Sequence, residues 1–262
     1  MGKTTLALQM IASAVKAGCR VCLIDSELSV EEERARFLGV KTSEVIAFKN
    51  TKENLLSLEK AASYIRVLTN PDHLVDKPTL IVLDSIAASG IETEASTERD
   101  IKLGNIQPGI RARLLGDLLR SISPRLKPTR TCLLLINQIR EKIGVMFGNP
   151  LTTPGGHAVR SFASVRLWMT QSTAIKKDGK SIGFIVNLRA EKNKFAVPWQ
   201  KIPFKFLFAS GIDPFWSTVE LGIERGLIKK VKNTYHVGGK TFGLKQEQET
   251  AAATRGLLWR TS

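Results

Sequence analysis

Four residues at the start of the chain, Gly2-Lys3-Thr4-Thr5, have the types and order needed to hold a phosphate. In the G-x-x-x-x-G-K-[ST] loop, backbone N–H groups curl around the phosphates. The lysine ammonium reaches the β- and γ-phosphates, and the hydroxyl that follows ligates Mg²⁺. Here only the second half is present, because the first glycine would stand five positions before Gly2. Further on, the apolar run 80–83 ends in Asp84. A carboxylate there could hold the same Mg²⁺ through water, or could simply terminate a strand. Glu27 stands two residues beyond Asp25, the end of another apolar run. It would lie beside a γ-phosphate and activate water if strand 21–25 neighbours the strand carrying the phosphate loop. A solvated loop glutamate explains it equally well.

The stretch 137–160, "NQIREKIGVMFGNPLTTPGGHAVR", offers a different chemistry. It carries the cations Arg140, Lys142 and Arg160, and Gly144, Gly148, Pro150, Pro154, Gly155 and Gly156 punctuate it. Its apolar residues Val145, Met146 and Phe147 have no evident core to join. Cations that track phosphates and apolar groups that insert between bases suit single-stranded DNA. A lid over a nucleotide is the competing reading.

These residues must be positioned by elements, and the pattern names them. Apolar runs at 21–24, 80–83 and 132–136 end in Asp25, Asp84 and Asn137-Gln138. Amphipathic segments at 3–17, 54–68 and 110–122 alternate with them. Apolar strands alternating with helices predict an α/β fold with a parallel sheet covered on both faces. In such sheets ligands bind at the carboxyl ends of the strands, where all three polar clusters fall. Segments 163–169, 183–190 and 202–208 read as strands added antiparallel at one sheet edge, and 215–262 reads as a mixed, basic lobe. Segments 90–108 and 140–160 carry no periodic signal.

Composition narrows the partner. With 39 Lys+Arg against 24 Asp+Glu in 262 residues, the net charge is +15, which favours a polyanion such as nucleic acid or an anionic membrane surface. No stretch reaches the roughly 18 apolar residues of a membrane span. The apolar residues after Lys3 fall at helical spacing, as in a core helix rather than a signal peptide. Three cysteines make neither a disulfide framework nor a metal set, and Cys19 and Cys22, despite C-x-x-C spacing, read as inert core thiols. A reducing, cytoplasmic setting fits them.

The segments "LIDSELSVEEERARFLGV", "IVLDSIAA", "LLLINQIREKIGVMFGNPLTTPGGHAVRSFASVRLWM" and "AEKNKFAVPWQKIPFKFLFASGI" occur in an order and spacing that resembles the RecA family of homologous-recombination ATPases. The resemblance implies a RecA-like P-loop ATPase core over 1–212, with a mainly parallel central sheet flanked by helices, and a small C-terminal α+β lobe over 213–262. It implies ATP and Mg²⁺, with Gly2, Lys3, Thr4 and Thr5 at the phosphates and Thr4 and Asp84 at the metal. Glu27 matches the catalytic glutamate. Gln138 matches the glutamine that senses the γ-phosphate and relays it to the second DNA loop, 139–157. Lys192 and Lys194 match a pair that reaches the neighbouring subunit's ATP. Glu31 falls where an acidic residue meets the adenine amino group, and Arg34 stands where a tyrosine usually stacks on adenine. The DNA-binding residues implied are Arg140, Lys142, Met146, Phe147, Asn149, Gly155, Gly156 and Arg160, with Arg113 and Arg120 on the helix after the first DNA loop. That first loop, near 92–108 with Arg99 and Lys102, is poorly matched, and Ser161 replaces an interface phenylalanine.

The resemblance also places Met1 inside the phosphate loop, so a truncated sequence or a misassigned start codon is expected there, and it places the C-terminus inside the final lobe, ahead of that lobe's closing helix. The expected partners are single- and double-stranded DNA and further copies of the chain in a helical filament, with no membrane. The expected activity is DNA-dependent ATP hydrolysis driving homologous pairing and strand exchange. The alternatives are a non-hydrolysing DNA-binding or regulatory relative and, ranked last, a ring helicase motor.

Overall fold

Alternation along two central strands decides the architecture. In the computed structural model, which describes residues 2–51, 55–73, 76–91, 109–141, 151–243 and 250–254, β1 (Arg20–Asp25) and β3 (Thr79–Asp84) are buried along almost their whole length. Cys22, Ile24, Ile81 and Leu83 turn to one face, against α3 (Leu58–Leu68) and α4 (Ile110–Leu126). Val21, Leu23, Leu80 and Val82 turn to the other, against α1 (Lys3–Lys16) and the segment around α2 (Glu32–Phe37). A strand covered on both faces has no polar side to show, which is why these runs are continuously apolar. Burial pushes the Cys22 thiol up to about 12, against a smaller opposing pull from Arg20. It is the inert core thiol its neighbours predicted.

The sheet is parallel, in the order β2-β1-β3-β4, with β2 at Val45–Lys49 and β4 at Thr131–Leu135. Its register sets Asp25 level with Asp84. Three helices expected from periodicity are present as α1, α3 and α4. The last of these runs past the expected end at 122 to Leu126, through Pro124.

Contacts divide the chain into two compact units, Lys3–Ala163 on the one hand and Ser164–Ser262 with Met1–Gly2 on the other. The first unit holds the parallel sheet, the short pair β5 (Arg140–Glu141) and β6 (Leu151–Thr152), and α5 (Gly156–Phe162). The second holds β7 (Val165–Lys177), β8 (Lys180–Asn193), β9 (Lys201–Leu207) and β10 (Gly211–Ile212). These four are antiparallel, three of them as the sequence indicated and β10 in addition, but they form a sheet of their own in the order β10-β9-β8-β7 instead of extending the parallel one. Phe184, Val186, Phe204 and Phe206 make its core. Also in the second unit, α6 (Pro214–Glu224) packs with the three-stranded sheet β11 (Ile228–Val231), β12 (Thr234–Val237) and β13 (Lys240–Gly243) around Val219, Tyr235 and Val237.

Candidate nucleotide site and its comparisons

The carboxyl ends of β1 and β3 and the amino end of α1 meet in the first unit. The α1 N-terminus presents Lys3, Thr4 and Thr5 in its first turn. Its leading N–H groups lack intrahelical partners and its dipole is positive there, so the local field suits an anion. The Thr4 hydroxyl donates to Asp84 Oδ2 at 2.6 Å, the short distance of a charge-assisted bond. Asp84 Oδ1 is buried without a hydrogen-bond partner. A buried carboxylate oxygen left open beside a hydroxyl is costly in itself, and it has the chemistry of a hard-cation ligand. The residues present therefore fit Mg²⁺. Burial is the largest cause holding the Asp84 carboxyl above its ordinary range. The Thr4 bond opposes that, the negative charges of Glu27 and Asp25 add to it, and the Lys3 charge opposes it.

Glu27 reaches this place by a route other than the one the sequence suggested. Both edges of β1 are already taken, by β2 and β3. The level register with β3 is what brings Glu27 to Asp84, since the Ser26 and Glu27 N–H groups both donate to the Asp84 carbonyl, at 2.8 and 3.2 Å. The loop carrying Glu27 is pinned from below. The fully buried Asp25 carboxylate accepts from Ser29 N and Val30 N, and the Asn50 amide donates to the Ser26 carbonyl at 2.7 Å. Glu27 itself is exposed, yet both its oxygens are engaged. Oε1 accepts from the Gln138 amide at 3.0 Å and Oε2 from the Ser85 hydroxyl at 3.1 Å.

Gln138 lies beyond the end of β4, after Ile136 and Asn137, and stands at the root of segment 139–157. Asn137 donates to the Pro154 carbonyl at 2.7 Å, and β5 pairs with β6, so the two ends of that segment are tied together. Lys142, Met146, Phe147 and Asn149 lie outside the described residues, as do the Arg140 side chain and all of 92–108. Gly155 and Gly156 are accounted for by packing, with φ of 96° and 63°. A Cβ on Gly155 would come within 2.8 Å of Leu115 Cδ1, and one on Gly156 within 2.9 Å of Ala112 Cβ. Arg160 is half-buried on α5, while Arg113 and Arg120 are exposed on α4, the latter paired with Asp117 at 3.1 Å.

The remaining expected residues are spread more widely. Glu31 is the N-cap of α2, and the Arg34 guanidinium lies 5.6 Å from the centre of the Phe37 ring. Gly2, with φ of 80°, groups with the second unit, near the Phe206 ring. Lys192, on β8, and Lys194, just beyond it, also belong to that unit. Sequence reasoning missed Asp25 as a loop anchor, and it missed Ser26, Asn50, Ser85, Ser89 and Arg111. Arg111 donates to the Ile86 and Ala87 carbonyls at 3.1 and 2.9 Å, tying the start of α4 to the turn after Asp84. No motif spacing marks any of them. Among the described residues no helix is long and apolar enough to cross a membrane.

The chain is similar to known proteins in sequence and in fold. The model of the RecA N-terminal domain matches residues 1–213. Protein RecA of Bacteroides thetaiotaomicron is 36% identical over 268 residues, covering 98% of this chain and 77% of that one. Protein RecA 1 of Myxococcus xanthus is 35% identical over 250 residues, covering 94% and 68%. Protein RecA of Aquifex aeolicus is 37% identical over 247 residues, with the same coverage of 94% and 68%. In structure, the chain is similar to the crystal structure of the RadB recombinase, with a TM-score of 0.51 and 20% identity over 80% of this chain and 84% of that one, a likeness of fold. A helix start that offers Lys3 and Thr4 to a phosphate, facing a strand that ends in Asp84, and a sequence match spanning most of the chain lead to one conclusion: the chain belongs to the RecA family.

Proposed function

We propose that this protein is a DNA-dependent ATPase of homologous recombination and repair that assembles as a filament on single-stranded DNA and promotes pairing and strand exchange with a duplex. The observation that supports this most directly is the chain of contacts from Thr4 and Asp84 through Ser85 to Glu27 and on to Gln138, which links a phosphate site to the root of a basic segment. Lys3 and the α1 N-terminus offset phosphate charge. Thr4 and Asp84 would hold Mg²⁺, which when bound neutralises charge on the phosphate oxygens. Glu27 accepts the proton of the attacking water. The Gln138 amide, which donates to Glu27 here, is the donor that a γ-phosphate would claim. The exchange carries the state of the nucleotide to segment 139–157 and its DNA-binding cations. Glu31 and Arg34 serve the adenine, with the flat guanidinium suited to stacking on a base. Lys192 and Lys194 reach the nucleotide of the adjoining subunit in the filament, where fixed cations stabilise a transferring phosphoryl group.

The test is steady-state ATP hydrolysis with and without single-stranded DNA, alongside oligonucleotide binding in ATP, ADP or neither. DNA should stimulate turnover, and ATP should tighten binding. Glu27→Gln should lower kcat by roughly 10²–10⁴-fold, the usual worth of a general base, while ATP-dependent DNA binding persists. Hydrolysis unaltered by that substitution would overturn the assignment of the base, and binding indifferent to nucleotide would overturn the coupling.

A further inference from the structure

Glu27 and Ser85 form an unequal pair. Glu27 is an exposed glutamate with several rotatable bonds, whereas Ser85 is fully buried and fixed from every side. The Ser85 N–H donates to Ser26 Oγ at 3.1 Å, and the Ser85 carbonyl lies 3.0 Å from the Ser26 hydroxyl and 3.1 Å from that of Ser89. Its own Oγ accepts from Ala88 N at 3.3 Å while donating to Glu27 Oε2 at 3.1 Å. The Ser89 and Ser26 hydroxyls are also 3.0 Å apart. Three buried serines thus rivet the end of β1 to the end of β3, and the rivet presents one hydroxyl outward, to the glutamate.

The other anchor of Glu27 is Gln138, which stands at the root of segment 139–157 and is expected to leave Glu27 when a γ-phosphate arrives. Among the described residues, Ser85 then keeps the remaining hold on the carboxylate. We infer that Ser85 is a positioning residue for ATP hydrolysis, fixing Glu27 Oε2 so that Oε1, once released by Gln138, points its lone pair at the attacking water. The inference rests on the reading of Glu27 as the base. Ser85 touches neither water nor phosphate in this role; it narrows the orientations of the group that does. Losing a fixed orientation costs rate without weakening nucleotide binding, because geometry at the reacting atoms matters most in the transition state.

The experiment measures kcat and KM for ATP, at saturating single-stranded DNA, in the parent protein, Ser85→Ala, Glu27→Gln and the double variant. Ser85→Ala should lower kcat about tenfold, equivalent to about 1.4 kcal/mol, and leave KM unchanged. The double variant should be no slower than Glu27→Gln alone, because Ser85 acts through Glu27, whereas a general structural defect would add its loss on both backgrounds. Should the alanine variant fail to fold, Ser85→Cys, close in volume and a weaker donor, should give an intermediate kcat. A parent-like kcat in Ser85→Ala, or in the folded cysteine variant, overturns the inference and leaves the base in place. So does a further tenfold loss on the Glu27→Gln background. Parent-like hydrolysis by Glu27→Gln, or a parent with no turnover, overturns the reading of the base and takes the inference with it.

Discussion

Asp84 carries more of the site than any other side chain, and its cost can be measured. With its carboxyl held above the ordinary range chiefly by burial, the folded chain binds a proton that the unfolded chain has already released. Below about pH 4, the ordinary range of aspartate, both states are protonated and the contribution to stability is fully present. As pH rises through the raised folded value, stability is lost. Without divalent cations, the urea midpoint should therefore fall as pH climbs from about 4 through that window, and Asp84→Asn should flatten the fall. Added Mg²⁺ should restore stability at neutral pH in the parent only, through ligation of the open oxygen. The residues that could hold a phosphate, a metal and a water were legible in the sequence because each belongs to a compact pattern: Lys3 and Thr4 after a glycine, Asp84 at the end of an apolar run, Gln138 at another strand end. Ser26, Ser85, Ser89, Asn50 and Arg111 were not, since a serine or an asparagine in a turn reads the same whether its hydrogen bond runs to water or to a residue 59 positions away.

At the scale of elements, two helices meet with little room between them. Where α5 begins, Gly155 and Gly156 take left-handed φ and bring the backbone against Ala112 and Leu115 of α4. Gly156→Ala adds both a strained φ and a methyl 2.9 Å from Ala112 Cβ, and should lower the unfolding free energy by about 2–4 kcal/mol. Gly116 is the contrast. It lies inside α4, and its added Cβ would sit 3.6 Å from Ala158 Cβ, in ordinary contact, so Gly116→Ala should stabilise by about 0.5–1 kcal/mol. Chemical denaturation of the two variants checks both signs. Helices α1, α3 and α4 were legible because a repeating apolar face announces itself within a dozen residues. The six-residue α2, with only Ala35 buried, offers no such repeat. That β7 to β10 form a separate sheet was not legible either, because strand pairing is decided by contacts far apart in the chain.

The molecule as a whole carries a net charge of +15, and its partner should be a polyanion bound through counterion release. If it neutralises roughly six phosphates of a single strand, the logarithm of affinity should fall with a slope near −4 in log salt, about 300-fold between 50 and 200 mM. Fluorescence anisotropy across that range measures the slope; a value near zero would remove DNA as the partner that the charge serves. The sign and size of the charge were open to view in the composition, but where it gathers depends on folding.

The level register of β1 and β3 has an evolutionary consequence. Each strand alternates its side chains between two buried faces, and the same count of residues that seats Ile81 and Leu83 also delivers Asp84 beside Asp25. Insertion or deletion of a single residue in either strand would reverse that parity, exchanging the two core faces and withdrawing the carboxylate together. Packing and chemistry are thus locked to one tally, and in this part of the chain the connections are where added or lost residues should be tolerated.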